Sequence, residues 1–133
     1  MRFADTSFWI GLQVVRDHRH EDATRLWMSN RGPVRTSNLV LGETWTWLRR
    51  KAGHVAAVRF LSTIKQSSRV SVVMVTPPID ERAWKWLERH DERAYSYVDA
   101  TSFEIMRRER INLALAFDGD FTSAGFVELR PTS

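Results

Sequence analysis

Cysteine is absent from the 133 residues, so the chain has neither a disulfide framework nor a thiolate metal site, which suits a reducing compartment. Glycine and proline are sparse, at six and four residues, and they form neither a glycine-rich phosphate loop nor a dinucleotide fingerprint. No apolar run approaches the ~18 residues needed to span a bilayer. No basic, apolar, small-residue signal segment precedes the first strand pattern, and the expected location is cytoplasmic with no membrane contact. Internal repeats, low-complexity tracts and linkers are also missing, so residues 1–133 are expected to form a single domain. The four histidines, His18, His20, His54 and His90, fall in charged or exposed-looking contexts and read as surface residues.

What is present is an ordinary globular composition, 43% hydrophobic and 27% charged, with a net charge of +4 that favours polyanionic partners. The densest basic clusters, Arg49-Arg50-Lys51 and Arg107-Arg108, fall at the C-terminal ends of expected helices. There cations suit the helix dipole, and a solvated face explains them more economically than a nucleic-acid contact.

Strand and helix patterns alternate along the chain. Strands are expected at Arg2 to Asp5, Val34 to Thr36, Val70 to Val75, Leu113 to Phe117 and Gly125 to Leu129, the third reading as buried on both faces. Helices are expected over Ser7 to Arg16, Glu21 to Asn30, Leu39 to Ala52 (capped by Ser37 or Asn38), Val55 to Gln66, Pro77 to His90 and Ala100 to Glu109. The alternation implies an α/β fold, a three-layer α/β/α sandwich around a central, mostly parallel sheet of about five strands.

Chemistry in open α/β sheets sits at the C-terminal ends of the strands, and Asp5 ends the first one. Glu43 shares a helical stripe with Leu39, Val40 and Trp47 that is expected to face the sheet. Asp99 follows Ser96 by three residues, which is also the pattern of a capping box. Asp118-Gly119-Asp120 leaves the fourth strand in a sequence that turn formation alone would select. Singly, each acid has a structural explanation. Together, four carboxylates at one edge repel one another unless a hard cation neutralises them, and all-oxygen ligands point to Mg²⁺ or Mn²⁺.

The segments Phe3-Ala4-Asp5-Thr6-Ser7-Phe8, Gly42-Glu43-Thr44, Ser96 to Phe103 and Ala116 to Phe121, in this order, resemble the PIN-domain ribonucleases, most of all the VapC-type toxins of type II toxin–antitoxin pairs. The resemblance implies Mg²⁺- or Mn²⁺-dependent hydrolysis of RNA (tRNA, rRNA or mRNA) leaving 5′-phosphate and 3′-hydroxyl ends. It makes Asp5, Glu43, Asp99 and Asp118 the catalytic acids, with Asp5, Asp99 and Asp118 on the metal and Glu43 holding the attacking water or taking its proton. Thr6, Ser7 and Ser102 become supporting hydrogen-bonding residues, and Asp120 an edge residue, either a water-mediated ligand or a turn stabiliser. A small antitoxin protein and a homodimer are the implied partners.

Trp45 and Trp47, like Trp84 and Trp86, are two residues apart on expected helices, about 200° around the axis, so one of each pair is expected to point away from the sheet. A homodimer through the third and fifth helices follows as an expectation, with Trp9 and Trp27 as weaker candidates for an antitoxin groove. Metal-independent RNA cleavage would need paired histidines within the motifs. A phosphoacceptor domain would need an acidic residue ending the third strand and a late lysine. Neither pattern is present, and the remaining alternative is a PIN-like domain that binds RNA without cutting it.

Overall fold

A polar residue at the end of each of the first two strands, Asp5 and Ser37, caps the helix that follows, so the chain turns there from extended to helical within a residue. In the computed structural model, which describes residues 1–132, the order is β1 Arg2–Ala4, α1 Thr6–Gln13, α2 His20–Ser29, β2 Val34–Ser37, α3 Asn38–Lys51, α4 His54–Gln66 and β3 Val70–Val73. Then come α5 Pro77–Arg89, α6 Tyr97–Glu109, β4 Leu113–Leu115, α7 Asp120–Ser123 and β5 Val127–Glu128. Of the two candidate caps for α3, Ser37 does the work, its hydroxyl accepting the Val40 N–H at 3.1 Å. Asn38 instead accepts the Val75 N–H at 2.8 Å, tying α3 to the segment after β3.

All strand pairs are parallel, in the order β3-β2-β1-β4-β5. The chain runs outward from β1 through β2 to β3, then returns to the other side of β1 to add β4 and β5. The reversal lies between β1 and β4, which is where open α/β sheets leave a crevice beyond their strand ends.

Period-two alternation assigns the faces. On one side Arg2, Val34 and Thr36 meet the first helices: Arg2 donates to the Leu26 and Asn30 carbonyls, and the Trp9 indole N–H donates to Thr36. On the other side the Phe3 ring packs against Phe121, which meets Phe103 edge-on, and Arg35 reaches Glu109 of α6. Helices therefore cover both faces. The last turn of α2 carries no cation of its own. Arg2 and Arg69 supply the charge instead, their guanidinium groups donating to the carbonyls of residues 26, 27 and 30.

Several expectations fail here, among them the start of the sixth helix, which opens at Tyr97 and not Ala100. β3 is an edge strand with Val72 40% exposed, not a strand buried on both faces; its continuous apolar run cannot distinguish a central strand from an edge with one open side. The first helix stops at Gln13 rather than Arg16, with Val14 already extended. Finally, Asp120 opens a one-turn helix, α7, in the segment read only as a turn. The tryptophans divide unevenly: Trp84 is 49% exposed and stacked on Tyr97, but Trp45 and Trp47 are both half-buried. Trp9 is 1% exposed and packs in the core, and with the half-buried Trp27 it borders a hollow of about 220 Å³.

Candidate metal centre

Asp5 stands where β1 meets α1, its backbone N–H extending the ladder to the Leu115 carbonyl at 3.0 Å. Its side chain caps α1: Oδ2 accepts from the Ser7 N–H at 3.4 Å and the Ser7 hydroxyl at 3.2 Å. Ser7 in turn accepts the Phe117 N–H at 3.0 Å, so one hydroxyl joins the ends of the two strands flanking the crevice.

Asp99 is in the first turn of α6, where Ser96 and Asp99 form a reciprocal capping box: Asp99 Oδ2 accepts the Ser96 N–H and Ser96 Oγ accepts the Asp99 N–H. Asp118 leaves the chain after β4, and its Oδ1 accepts the Asp120 N–H at 3.1 Å. Each acid thus uses one oxygen to hold its own backbone. Capping and a place in the acidic cluster, which looked like competing explanations of Asp99, are compatible because a carboxylate has two oxygens.

From Asp5, Asp99 and Asp118 one carboxylate oxygen each can be chosen so that all lie within 4.8 Å of one another. Asp5 is 2% and Asp99 8% exposed, while Asp118 opens to solvent. Asp5 Oδ1 is buried without any hydrogen-bond partner. Among the described residues no arginine, lysine or histidine forms an ion pair with Asp5, Glu43, Asp99 or Asp118.

The electrostatic consequence follows directly. Burial, with added repulsion from Asp118, Asp99 and Glu43, raises the Asp5 carboxyl well above its ordinary range. Burial likewise raises Asp99, to about 6, with Asp120 and Asp118 adding to the effect. Asp118, although open to solvent on one side, is raised by partial desolvation and by the neighbouring Asp120 and Glu128 charges. Close, desolvated, unpaired carboxylates with an unused buried oxygen form a donor set suited to a hard divalent cation.

Glu43 stands elsewhere than the helical stripe suggested. The buried positions of α3 are Val40, Thr44 and Leu48; Glu43, next to that stripe, is exposed at the rim. It accepts a hydrogen bond from the Thr6 hydroxyl at 2.5 Å, which couples it to the residue after Asp5. Ser102 does not reach the acids: it is fully buried, and its hydroxyl donates to the Val98 carbonyl at 2.9 Å. Asp120 turns toward Arg93, whose Nε donates to Oδ1 at 2.8 Å and whose Nη2 donates to the Asp118 carbonyl at 3.0 Å. Of the histidines, His18 is exposed and borders a hollow shared with Ser7 and Asp118, whereas His20 and His90 are half-buried and bonded to the Gly11 and Trp86 carbonyls.

Sequence reasoning missed Glu128. Its side chain is 3% exposed, and its oxygens accept the Gly119 N–H at 3.2 Å and the Thr122 N–H at 3.0 Å. It therefore holds the turn that carries Asp118, balanced by Arg130 at 3.2 Å. The signal was present: Glu128 is two residues after the buried Phe126 in an extended segment and so shares its inward face. Gly119, with φ of +84°, supplies the left-handed backbone this turn needs.

The PIN domain family pattern matches residues 2–127. The chain is 57% identical over 131 residues to the 23S rRNA-specific endonuclease VapC20 of two Mycobacterium tuberculosis strains, an alignment covering 98% of this chain and 99% of each relative. The crystal structure of Mycobacterium tuberculosis VapC20, described as a sarcin–ricin loop cleaving toxin, superposes with a TM-score of 0.94 at 56% identity, covering 98% of this chain and all of that one. With its parallel five-stranded sheet, its acidic crevice at the strand reversal and this family pattern over nearly its whole length, the chain belongs to the PIN-domain family.

Proposed function

We propose that this protein is a divalent-metal-dependent endoribonuclease, the toxin of a toxin–antitoxin pair, acting on structured ribosomal RNA in the cytoplasm. The observation that carries the metal dependence is the convergence of Asp5, Asp99 and Asp118 with Asp5 Oδ1 buried and unpartnered. The identity to 23S rRNA-specific endonucleases supports the substrate class.

Asp5, Asp99 and Asp118 would hold Mg²⁺ or Mn²⁺. A bound cation supplies Lewis-acid polarisation of the phosphodiester and a lowered pKa for an attacking water. Ser7 fixes the rotamer of Asp5 and the distance between the β1 and β4 ends. Glu43, exposed at the rim and hydrogen-bonded by Thr6, would accept a proton from the attacking water. Glu128 and Arg93 hold the Asp118 turn from behind. A small antitoxin protein covering the acids and a homodimer through α3 and α5 complete the proposal.

The test is cleavage of an RNA stem-loop of the sarcin–ricin type by protein freed of antitoxin. Cleavage should require Mg²⁺ or Mn²⁺ and fall to background in excess EDTA and in Asp5→Asn. Undiminished cleavage in EDTA refutes the metal dependence. RNA binding without cleavage at any metal concentration would favour the non-catalytic alternative.

A further inference from the structure

A hollow of about 340 Å³ adjoins the acidic cluster, bordered by Ser7 and Asp118 themselves. Its apolar surface comes from Ile10, Phe117 and Trp47, and its polar edge from Asp17, the exposed His18 and Arg19. Ile10 and Phe117 are 9% and 8% exposed, so they form a fixed floor. The Arg19 guanidinium carbon is 5.2 Å from the centre of the Phe117 ring, and its Nη1 is 3.9 Å from Asp22. The ring contact lays the Arg19 side chain over Phe117, and the distant Asp22 pair adds little to it. Asp17 Oδ1 accepts the Arg19 backbone N–H at 2.9 Å, which fixes the short connection carrying both residues.

We propose that this hollow binds the unpaired nucleobase next to the scissile phosphate, with Arg19 and Trp47 as its specificity-determining and positioning residues. The inference rests on the ribonuclease reading. A phosphodiester at Asp5, Asp99 and Asp118 has its flanking nucleosides within one nucleotide's reach, and Ser7 and Asp118 border the hollow on that side. Flat aromatic and guanidinium surfaces beside a hydrogen-bonding edge are what single-stranded bases stack on and pair with. A purely electrostatic RNA contact would need neither the apolar floor nor the restrained guanidinium plane. Asp17 offers the acceptor for a base with an amino or imino donor edge.

The experiment is a cycle between protein and substrate. A sarcin–ricin type stem-loop is made intact and with an abasic residue at each of the two nucleotides flanking the cleaved bond, and kcat/KM is measured with Mn²⁺ for wild type, Arg19→Ala and Arg19→Lys. For wild type, removing one of these two bases should lower kcat/KM roughly 5- to 100-fold, the range that loss of base stacking produces. In both variants the same removal should cost no more than about twofold, because Lys keeps the charge but not the plane. Mn²⁺ affinity by calorimetry should be unchanged, since Arg19 touches none of the three acids. Fluorescence of 2-aminopurine at the sensitive position, read in EDTA, should be quenched by wild type and much less by Arg19→Ala. Efficient cleavage with no abasic penalty at either position, or an equal penalty in wild type and variants, overturns the hollow alone. Absence of both cleavage and RNA binding by wild type overturns the ribonuclease reading and this inference with it.

Discussion

Asp5 and Asp99 are both harder to ionise in the folded chain than in the unfolded one. The folded state therefore binds protons more readily, and stability falls as pH rises from the unfolded carboxylate range through about 6 for Asp99, with the raised Asp5 carboxyl acting in the same direction. For Asp99 the ionisation opposes folding by on the order of 3 kcal/mol. The metal-free protein should consequently melt several degrees higher at pH 5.5 than at pH 7.5, and saturating Mn²⁺ should flatten the difference. Calorimetry at both pH values checks this; a metal-free melting temperature that rises with pH would contradict it. Asp99→Asn should keep the capping bond through its amide oxygen and melt at or above wild type, whereas a large drop would show that the charge itself stabilises α6.

Asp118 and Asp120 separate at the same scale. Asp120 is paired with Arg93 outside the cluster, while Asp118 contributes an oxygen to it. Across a Mg²⁺ titration of cleavage, Asp118→Asn should lose activity that high Mg²⁺ restores poorly. Asp120→Asn should show a modest loss that added metal largely recovers. The reverse ranking would place the ligand on α7.

Among the elements, α7 and β5 matter most to the site because they brace its least buried acid. Glu128 of β5 accepts two N–H groups from the Gly119-to-Thr122 turn, so the Asp118 position depends on a carboxylate two elements away. Partners that orient metal ligands typically carry 10- to 100-fold in affinity. Glu128→Gln, which keeps one acceptor and loses the charge, should weaken Mn²⁺ binding by roughly that factor in titration calorimetry while the protein stays folded. Unchanged affinity would mean that the turn holds itself, through the Asp118 and Arg93 contacts.

Over the whole molecule, the surface carries exposed apolar side chains: Trp84, Met74 and Val72 are 49%, 63% and 40% exposed. Val72 lies on edge strand β3, and Trp84 on α5. An open strand edge beside exposed apolar side chains is a surface that proteins ordinarily cover. Sedimentation equilibrium at micromolar concentration should give a dimer for wild type, with Trp84→Glu shifted to monomer. A wild-type monomer would leave α3 and α5 without the proposed partner.

The sequence by itself determined the α/β alternation, the parallel sheet, five of the six expected helix starts to within a residue, and the order of the acids along the chain. These depend on local periodicity, capping chemistry and turn residues, which act over a few positions and can be read in place. Tertiary structure decided what depends on distant neighbours. Only strand order shows that β3 is an edge and that β1 and β4 enclose the crevice. Only packing shows that Glu43 leans to the rim to meet Thr6, that Ser102 turns to Val98, and that Asp120 is drawn off by Arg93. Glu128 lies between these cases: its inward face was legible from Phe126, but the N–H groups it serves belong to a turn whose path is set by Gly119 and by the sheet beneath it. A carboxylate's type is encoded at its own position, whereas the direction its second oxygen takes is set by what the rest of the chain brings against it.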